Sequence, residues 1–348
     1  MIPARAAAPG KVILLGEHAV VYGQPALAAP VAGVQAVATV EPHPAAGQQG
    51  AGIWINARDI GRRYRLEGAR PADPLAQAIR LTLERLAPRQ PPPAFTLSIE
   101  STIPIAAGLG SGAAVCTAAV RALAAAFGQP LAPAEVSALV FQTERLLHGT
   151  PSGIDNTVIA YGRPVWFVKG RPPEPFAVAA PFHLLIADTG RPSPTRLAVG
   201  DVRAAWEREP ARYEALFQAV GDLVREARAW LAAPRSPAAP EAGGGDYLGR
   251  LGELMNTNHD LLRAMGVSSP ELEALTAAAR AAGALGAKLS GGGRGGNLIA
   301  LVTAETGAGV EAALLRAGAR RVLATIIETT DDGRQTADDR RPSPIVCR

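Results

Sequence analysis

The sequence is poor in cysteine and in aromatic side chains. Its 348 residues include only two cysteines, Cys116 and Cys347, and no CxxC pair. This excludes a disulfide framework and predicts a protein of the reducing cytoplasm. Aromatic residues make up 5% of the chain and hydrophobic residues 48%, so the core has to be built mainly from Ala, Val, Leu and Ile. A chain of this length predicts about two domains.

Blocks of like charge are missing as well. The net charge is +4, yet no run of five or more Lys or Arg residues occurs. Without a basic stripe interleaved with aromatic residues, nucleic-acid binding is not predicted. Two uncharged stretches, 19–40 and 101–120, have the length of membrane spans, but their clustered Gly and Pro residues favour strand–loop–helix units. We therefore expect no contact with a membrane and no signal peptide at the N-terminus.

Lysine is rare in this chain. Only Lys11, Lys169 and Lys288 occur among 35 Lys and Arg residues, and two of the three lie in Gly-containing segments. An ammonium group is a compact point charge and a guanidinium group is a planar fork, so the two side chains are not interchangeable. The placement of lysine in a chain that otherwise uses Arg marks these segments as candidates for function.

Hydrophobic periodicity predicts alternating strands and helices. In the first half, strands are predicted at 11–15, 34–40, 52–56, 95–101 and 165–168, and helices at 73–87, 111–127 and 133–147. In the second half, strands are predicted at 182–188, 286–290, 297–302 and 321–328, and helices at 194–232 with a break near 209–210, 247–265, 270–283 and 307–317. This last order is that of a split βαβ, ferredoxin-like layer, and the fold class is α+β. Residues 234–245 are predicted to be an exposed loop and 333–348 a polar tail.

The segment from 103 to 115 joins a strand to an Ala-rich helix through a loop that contains Gly108, Gly110 and Gly112. Alternate glycines allow positive φ and close approach of the backbone, and the N–H groups of the helix N-terminus then bind an anion. Ser111 is placed either to cap the helix or to contact phosphate. The loop is no Walker A motif, which ends in G-K-[ST], and it lacks the acidic residue that the similar dinucleotide pattern requires after a second strand. A tight structural turn is the alternative.

Polar residues gather at the end of the first predicted strand, where Gly16, Glu17 and His18 follow KVILL. Burying polar groups is costly unless they are used or hydrogen-bonded. For His18 alone, a hydrogen-bonded structural role is the better interpretation. With Lys11 and Glu17 nearby, the segment predicts a substrate pocket.

Two carboxylates occur in the segment from 141 to 156. Glu144 is predicted to lie in a helix, and Asp155 follows a Thr-Pro-Ser-Gly turn. Carboxylates placed in this way can converge on one metal–phosphate site, and Mg²⁺ prefers one or two carboxylates together with phosphate oxygens. The alternative is that Asp155 only caps the next element.

Glycine dominates the segment from 286 to 297, with five glycines in the six positions 291–296. A flexible linker would not join two closely spaced strands. The pattern therefore predicts a strained or mobile loop that closes on a nucleotide at a domain interface.

These four segments occur in the order and at the approximate spacing of the GHMP kinase motifs. They read PGKVILLGEHAVVYGQPALA at 9–28, IPIAAGLGSGAAV at 103–115, ERLLHGTPSGIDN at 144–156 and KLSGGGRGGN at 288–297. Further similarity covers ADTG at 187–190 and LGELMNTNHDLL at 251–262. The chain thus resembles the GHMP kinases over nearly its whole length, and the GEHAVVYG and TPSGIDN segments resemble the mevalonate kinase family within them.

The resemblance implies a two-domain GHMP kinase fold, with a ribosomal-protein-S5-like N-terminal domain at 1–180 and a ferredoxin-like C-terminal domain at 181–332. It implies an enzyme that phosphorylates the 5-hydroxyl of (R)-mevalonate with ATP and Mg²⁺ in isoprenoid biosynthesis. The alternatives are a GHMP kinase acting on phosphomevalonate or on another hydroxyl of mevalonate, a GHMP-fold decarboxylase, and a non-catalytic ligand-binding protein of the same fold. The oligomeric state is open, and a homodimer is one option.

The resemblance also implies roles residue by residue. Asp155 is expected to be the catalytic base, with Lys11 beside it to stabilise the charge that develops on the phosphate. Glu144 and Ser111 are expected to bind Mg²⁺. The residues expected to bind ATP are Pro104, Ala106, Ala107, Gly108, Leu109, Gly110, Ser111, Gly112 and Ala113. The residues expected to bind the substrate are Lys11, Glu17, His18, Ser152, Asp155 and Thr195.

The sequence departs from the family pattern at three positions. Many members have a second Ser, which contacts Mg²⁺, where Gly112 stands, so Ser111, Glu144 or water has to serve the metal. Val115 replaces a common Tyr. Arg294 interrupts the glycine run of the last motif, where it either contacts phosphate or faces solvent.

Overall fold

A computed structural model describes most of the chain. The described residues are 1–43, 52–86, 93–104, 108–148, 151–193, 195–232 and 244–328. Their contacts form two compact units, called here unit 1 (Met1–Gly10, Val34–Pro104 and Gly110–Gly162) and unit 2 (Lys11–Gly33, Ile105–Leu109 and Arg163–Arg348). The domain boundaries predicted at 180 and 332 stay predictions. The predicted polar tail, and most of the loop predicted at 234–245, lie outside the described residues.

Unit 1 contains a mixed sheet. Two long strands, β1 (Ala4–Leu15) and β2 (Ala26–Pro42), pair with each other, and each contributes residues to both units. The shorter strands are β3 (Ile53–Ala57), β4 (Arg62–Arg65) and β5 (Phe95–Ser101). β5 pairs antiparallel with β2 and parallel with β3, and β4 pairs antiparallel with β3. The strands predicted in this region are confirmed, and β4 is an additional one.

Four helices belong to the described part of unit 1: α1 (Pro74–Leu86), α2 (Ser111–Ala126), α3 (Pro133–His148) and α4 (Ile154–Tyr161). α2 packs against the other three, and its buried face consists mainly of alanines, which let helices approach closely. The predictions for α1, α2 and α3 are confirmed to within one residue at each end. The sequence does not predict α4, because its eight residues are too few to show a helical period.

Unit 2 contains a four-stranded antiparallel sheet. It follows two short strands, β6 (Val165–Phe167), which pairs with the start of β2, and β7 (Glu174–Pro175). The members of the sheet are β8 (Phe182–Asp188), β9 (Gly286–Ser290), β10 (Asn297–Val302) and β11 (Arg321–Ile327). Their order is β11-β8-β10-β9, and every residue of the central β10 is buried. This order confirms the predicted ferredoxin-like layer.

Five helices belong to the described part of unit 2: α5 (Thr195–Arg208), α6 (Pro210–Ala232), α7 (Gly244–Ala264), α8 (Pro270–Ala281) and α9 (Gly307–Arg316). Pro210 begins α6 at the predicted break, because proline interrupts a helix interior but fits the first turn. Ser269 caps α8, since its hydroxyl accepts a hydrogen bond from the N–H of Leu272 at 3.3 Å.

Helix α7 and strand β9 approach each other backbone to backbone at a pair of glycines. A Cβ atom on Gly252 would lie 2.3 Å from the carbonyl oxygen of Leu285. A Cβ atom on Gly286 would lie 2.6 Å from the Cα atom of Gly252. We call this contact the glycine seam (Gly252 and Gly286). It allows α7 to pack closely on β9, the strand that carries Lys288.

The two uncharged stretches of the sequence form ordinary elements. Residues 19–40 include a 3₁₀ turn and most of β2, and residues 101–120 include the end of β5 and the first turns of α2. Along the described ranges, no helix is both long enough and apolar enough to cross a membrane.

Candidate active site

The loop before α2 has the backbone conformation that its glycines predict. Gly108 and Gly110 have φ angles of 77° and 72°, in the left-handed region that favours glycine. Gly110 is the N-cap of α2, so Ser111 is the first helical residue and does not cap the helix. The first N–H groups of a helix have no partner within it, and the positive end of the helix dipole favours an anion there.

The predicted ATP-binding residues differ in exposure. Five of them are exposed or half-buried and can contact a ligand directly: Pro104, Gly108, Gly110, Ser111 and Gly112. Leu109 and Ala113 are buried, so their contribution to a ligand is limited to the backbone. Ala106 and Ala107 lie outside the described residues.

The first turn of α4 carries Asp155. Gly153 is the N-cap of α4 with a φ of 93°, and Asp155 is the second residue of the helix and half-buried. The N–H of Ile154 donates to the hydroxyl of Ser152 at 3.4 Å. The structure thus brings Asp155 and Ser152 together at one helix start, where the helix dipole stabilises a carboxylate.

Neutral hydrogen bonds fasten the start of α4 to α3. The buried Asn156 donates from Nδ2 to the carbonyl oxygen of Ser137 at 3.1 Å and to its hydroxyl at 2.8 Å. The hydroxyl of Thr157 donates to the carbonyl oxygen of Gly153 at 2.6 Å. Leaving buried polar groups unpaired is costly, so these bonds hold the turn that presents Asp155.

Glu144 lies in α3 and is buried, with 5% of its surface exposed. It is near Cys116 of α2: burial raises the pKa of that thiol to about 12, and the charge of Glu144 adds to the effect. A thiol with this pKa is an inert core group, because the thiolate is the reactive form. Glu144 is therefore a buried carboxylate on α3, close to α2.

The donor atoms of unit 1 suit a hard cation. Glu144, Asp155 and Ser111 offer only oxygen, which Mg²⁺ prefers. In the part of the chain that the structure describes, no group of three or more His, Cys, Asp or Glu side chains could hold a metal ion. A Mg²⁺ ion at this site would therefore take phosphate oxygens or water as further ligands, which is its usual behaviour.

Lys11 lies in the part of β1 that belongs to unit 2, and 4% of its surface is exposed. Its backbone N–H donates to the carbonyl oxygen of Leu109 at 3.0 Å. The structure thus brings a predicted catalytic residue and a predicted ATP-binding residue together within unit 2.

Glu17 is buried, and both of its oxygens have partners from distant parts of the sequence. The ammonium group of Lys288 on β9 forms an ion pair with Oε1. Nδ2 of Asn258 on α7 donates to Oε2 at 3.2 Å. Burial lowers the pKa of Lys288, and the carboxylate of Glu17 opposes this. The prediction that Glu17 binds the substrate stays a prediction.

His18 is buried beside Glu17 and has a defined tautomer. Its Nε2 lies 3.0 Å from the carbonyl oxygen of Gly292, and because a carbonyl only accepts, Nε2 carries the proton. Burial lowers the pKa of His18 to about 4. The hydrogen bond to Gly292 acts to raise this pKa, and the positive charge of Arg294 acts to lower it further. The ring is therefore neutral at pH 7. Its Nδ1 is a buried acceptor without a hydrogen-bond partner among the described residues.

The Gly-rich loop (291–296) has a backbone conformation that favours glycine, and its closure on a nucleotide stays a prediction. Every residue of this loop except Gly292 has a positive φ. Gly292 is the point where two predicted substrate residues meet, because it accepts from His18 and a Cβ atom on it would lie 2.8 Å from Oγ1 of Thr195. Thr195 is exposed at the start of α5. The structure thus brings His18 and Thr195 to one loop.

Arg294 is fastened to its neighbours within unit 2. It has a φ of 56°, and its N–H donates to the carbonyl oxygen of Val267 at 2.8 Å. Its guanidinium group pairs with Asp201 on α5. It also lines an open cavity of about 380 Å³, whose lining includes Arg208, Tyr213 and none of the predicted site residues. A contact between Arg294 and phosphate stays a prediction.

Sequence reasoning missed three residues that hold the candidate side chains: Asn156, Asn258 and Lys288. A signal existed for Lys288, since it is one of only three lysines in the chain. Asn258 lies in the LGELMNTNHDLL segment, which matches a family motif without revealing what it contacts. Asn156 adjoins Asp155, and nothing in its own pattern distinguishes it from a residue of the turn.

Comparison with known proteins finds two family matches along the chain. Residues 74–163 match the family described as GHMP kinases N terminal domain, and residues 246–320 match the one described as GHMP kinases C terminal. The mevalonate kinase of Thermococcus sibiricus is 36% identical over 311 residues, which cover 85% of this chain and 88% of that protein. The chain belongs to the mevalonate kinase family. The mevalonate kinase of Thermococcus onnurineus is 35% identical over 343 residues, which cover 94% of this chain and 96% of that protein.

A solved structure of the mevalonate kinase family has the same fold. The crystal structure of the L. major mevalonate kinase in complex with R-mevalonate has a TM-score of 0.77 and 29% identity. The match covers 94% of this chain and 96% of that one. The predicted α+β, two-domain GHMP kinase fold is thereby confirmed.

Proposed function

We propose that this chain transfers the terminal phosphoryl group of ATP to the 5-hydroxyl of (R)-mevalonate, giving 5-phosphomevalonate and ADP for isoprenoid biosynthesis. The observation that carries this proposal is the 36% identity to a mevalonate kinase over 85% of the chain. We assign the reaction to the cytoplasm, in keeping with the low cysteine content of the sequence.

The ATP phosphates are assigned to the loop at 104–113 and the start of α2. Phosphoryl transfer needs positioning and charge neutralisation more than covalent chemistry by the protein. The left-handed backbone at Gly108 and Gly110 supports the assignment, because successive N–H groups in such a loop form an anion-binding concavity.

Asp155 is assigned as the catalytic base. The 5-hydroxyl oxygen attacks the γ-phosphorus, the bond from that phosphorus to the bridging oxygen of ADP breaks, and Asp155 accepts the hydroxyl proton. The hydrogen bonds of Asn156 support a fixed orientation of the turn that carries Asp155. Lys11 is assigned to stabilise the negative charge that develops on the phosphoryl oxygens.

Mg²⁺ is assigned to Glu144 and Ser111, following the resemblance and the oxygen donors of unit 1. When bound, the ion would neutralise charge on the phosphate oxygens. Gly112 supplies no hydroxyl where many family members have a serine. This chain therefore has one protein ligand fewer to offer the ion.

Mevalonate is assigned to His18, Ser152 and Thr195, with Lys11 and Asp155 at its reacting end. The buried Nδ1 of His18 supports this, because it is an acceptor and mevalonate carries hydroxyl groups that donate. An acceptor left unpaired in the protein is costly, and a substrate hydroxyl would satisfy it.

An ADP-release assay with the purified full-length chain tests the proposed function. We expect ADP release with mevalonate and ATP, and little release with phosphomevalonate, homoserine or galactose. ³¹P NMR of the product should show a phosphomonoester, and no CO₂ should be released. ADP release with phosphomevalonate alone, or with none of the four acceptors, would contradict the proposal.

A further inference from the structure

The backbone at His18 has a rare conformation. Its φ is 59° and its ψ is −52°, and the N–H of Ala19 donates to the carbonyl oxygen of Glu17 at 2.6 Å. This is a γ-turn with positive φ at the central residue, the rarer and strained type. A strained residue persists only where its surroundings determine its conformation, and such residues concentrate at functional sites.

The residues before His18 hold this turn. Gly16 has a φ of 105°, and a Cβ atom on it would lie 2.6 Å from the Cα atom of Ala26. The chain therefore enters the turn with no room for a side chain. The carboxylate of Glu17 is then anchored by Lys288 on β9 and by Asn258 on α7. We call these three residues the Glu17 cluster (Glu17, Lys288 and Asn258).

Stability alone does not explain an ion pair at this depth. Lys288 is 0% exposed and Glu17 is 1% exposed. Replacing such a pair by apolar residues of similar volume is often neutral or stabilising, because desolvation offsets the attraction between the charges. A carboxylate held by two donors has a fixed direction, which an apolar contact would not provide. Here the fixed orientation of the Glu17 carboxylate holds the residue that precedes His18 in the γ-turn.

Of the side chains of Glu17 and His18, only that of His18 has a polar atom left for a ligand. Both oxygens of Glu17 have protein partners, whereas Nδ1 of His18 has none among the residues that the structure describes. Gly292 fixes the opposite edge of the ring through Nε2. The imidazole therefore has one orientation and one tautomer, with a single acceptor left over.

We propose that the Glu17 cluster consists of positioning residues, which hold the γ-turn and thereby aim the imidazole of His18 at a hydroxyl group of mevalonate. This inference deepens the proposed function and rests on it. It reassigns Glu17 from a residue that contacts the substrate to one that acts through His18. The group recognised is a hydroxyl, because the neutral Nδ1 can only accept a hydrogen bond.

Steady-state kinetics of a double variant test the proposal. Glu17→Gln combined with Lys288→Met removes both charges and roughly keeps the volume of both side chains. We expect KM for mevalonate to rise about tenfold, the equivalent of one hydrogen bond lost from alignment. KM for ATP should stay within about twofold, since the ATP residues are not part of the cluster.

A second variant tests the same idea if the double variant does not fold. Asn258→Leu removes one partner of Glu17 and leaves the ion pair in place. We expect about a threefold rise in KM for mevalonate, because one of two anchors remains. His18→Gln keeps a donor for Gly292 and has no acceptor at the position of Nδ1. Added to His18→Gln, Asn258→Leu should raise KM no further.

Leu314→Ala is the control for lost stability alone. Leu314 is fully buried in α9, which packs on α8, β8 and β11. The variant should lower Tm with KM for mevalonate unchanged. NMR of the His18 ring nitrogens reports the tautomer, which does not depend on the stability of the protein. We expect a protonated Nε2 and an unprotonated Nδ1 in the wild type, and a mixture of tautomers in the double variant.

Two results would overturn the positioning role. One is a double variant with unchanged KM for mevalonate and an unchanged His18 tautomer. The other is an Asn258→Leu effect that adds fully to that of His18→Gln. A wild-type chain that does not phosphorylate mevalonate would instead refute the proposed function, and the NMR comparison would still decide whether the cluster orients His18.

Discussion

The two units hold their candidate groups in different ways. In unit 1, Ser111 and Asp155 lie on the first turns of helices, and the neutral hydrogen bonds of Asn156 hold the turn that carries Asp155. In unit 2, His18 stands on a strained turn, and a buried ion pair anchors the residue before it. The first arrangement needs only regular helical backbone, whereas the second needs a strained backbone conformation that distant contacts hold in place.

This difference predicts which substitutions affect the reaction and which affect the stability of the fold. A helix start forms from local rules, so an active side chain can be removed from it at little cost to the fold. A strained residue costs about 1–3 kcal/mol and depends on distant partners. Substitutions in unit 1 should therefore lower the rate and leave stability unchanged, and substitutions around His18 should affect stability and substrate binding together.

The largest effect is expected for Asp155→Ala. Removing a general base lowers kcat by about 10²–10⁴-fold, and we expect a loss on the order of 10³-fold. The thermal unfolding midpoint should change little, because Asp155 is half-buried and the bonds of Asn156 remain. Asp155→Asn, which keeps the shape and loses the base, should behave in the same way. Near-normal turnover in either variant would refute the assignment.

Lys11→Met should have the next largest effect. Loss of a cation that stabilises the transition state lowers kcat by about 10²-fold, and ATP binding should weaken as well. Kinetics with varied ATP measure both. Lys11→Arg keeps the charge with a different geometry and should recover little, because a planar fork does not replace an ammonium group. Full activity of the arginine variant would show that charge alone is sufficient.

Gly16→Ala and Gly23→Ala test how tightly the strained turn is held. Both glycines have positive φ, but a Cβ atom would lie 2.6 Å from Ala26 in the first case and in open space in the second. Denaturant unfolding should show a loss of about 3 kcal/mol or more for Gly16→Ala and about 1 kcal/mol for Gly23→Ala. Equal losses would mean that only the φ angle matters.

The last prediction concerns the contribution of His18 to the pH dependence of stability. Its pKa falls from 6.5 to about 4 on folding, so the unfolded chain binds more protons between these values. The contribution of His18 to stability is therefore present above pH 6.5 and is lost as the pH falls towards 4. The contribution of His18 between pH 7 and pH 5 should be about 2 kcal/mol.

Denaturant unfolding of the wild type and of His18→Gln at pH 7 and pH 5 measures this contribution. The pKa of His259 is also lowered by burial, but His259 titrates in both proteins and cancels in the comparison. An equal pH dependence in the two proteins would show that His18 titrates normally in the folded state.

Much of the fold follows from local sequence. The periodicity of residues 73–87 and 133–147 and the alternation of 95–101 predict α1, α3 and β5 to within a residue. The glycines of the loop before α2 likewise predict its left-handed backbone, because few other residues adopt it. The candidate residues of unit 1 could be found in this way.

The arrangement around His18 could not be predicted from the sequence. The ion pair joins Glu17 to a lysine 271 residues further along the chain, and no local pattern encodes such a contact. The γ-turn follows no propensity of histidine, since tertiary contacts hold it. The sequence predicts that both Glu17 and His18 bind the substrate, and it does not predict which protein groups contact either of them.

The glycine seam restricts the evolutionary paths open to this protein. Gly252 and Gly286 lie so close together that neither has room for a Cβ atom. Because glycine is already the smallest residue, a larger residue at one position cannot be compensated by a smaller one at the other. Selection then acts on the two positions as a single character. A lineage that lost either glycine would also have to rebuild the contact of α7 with β9, and with it the approach of Asn258 to Glu17.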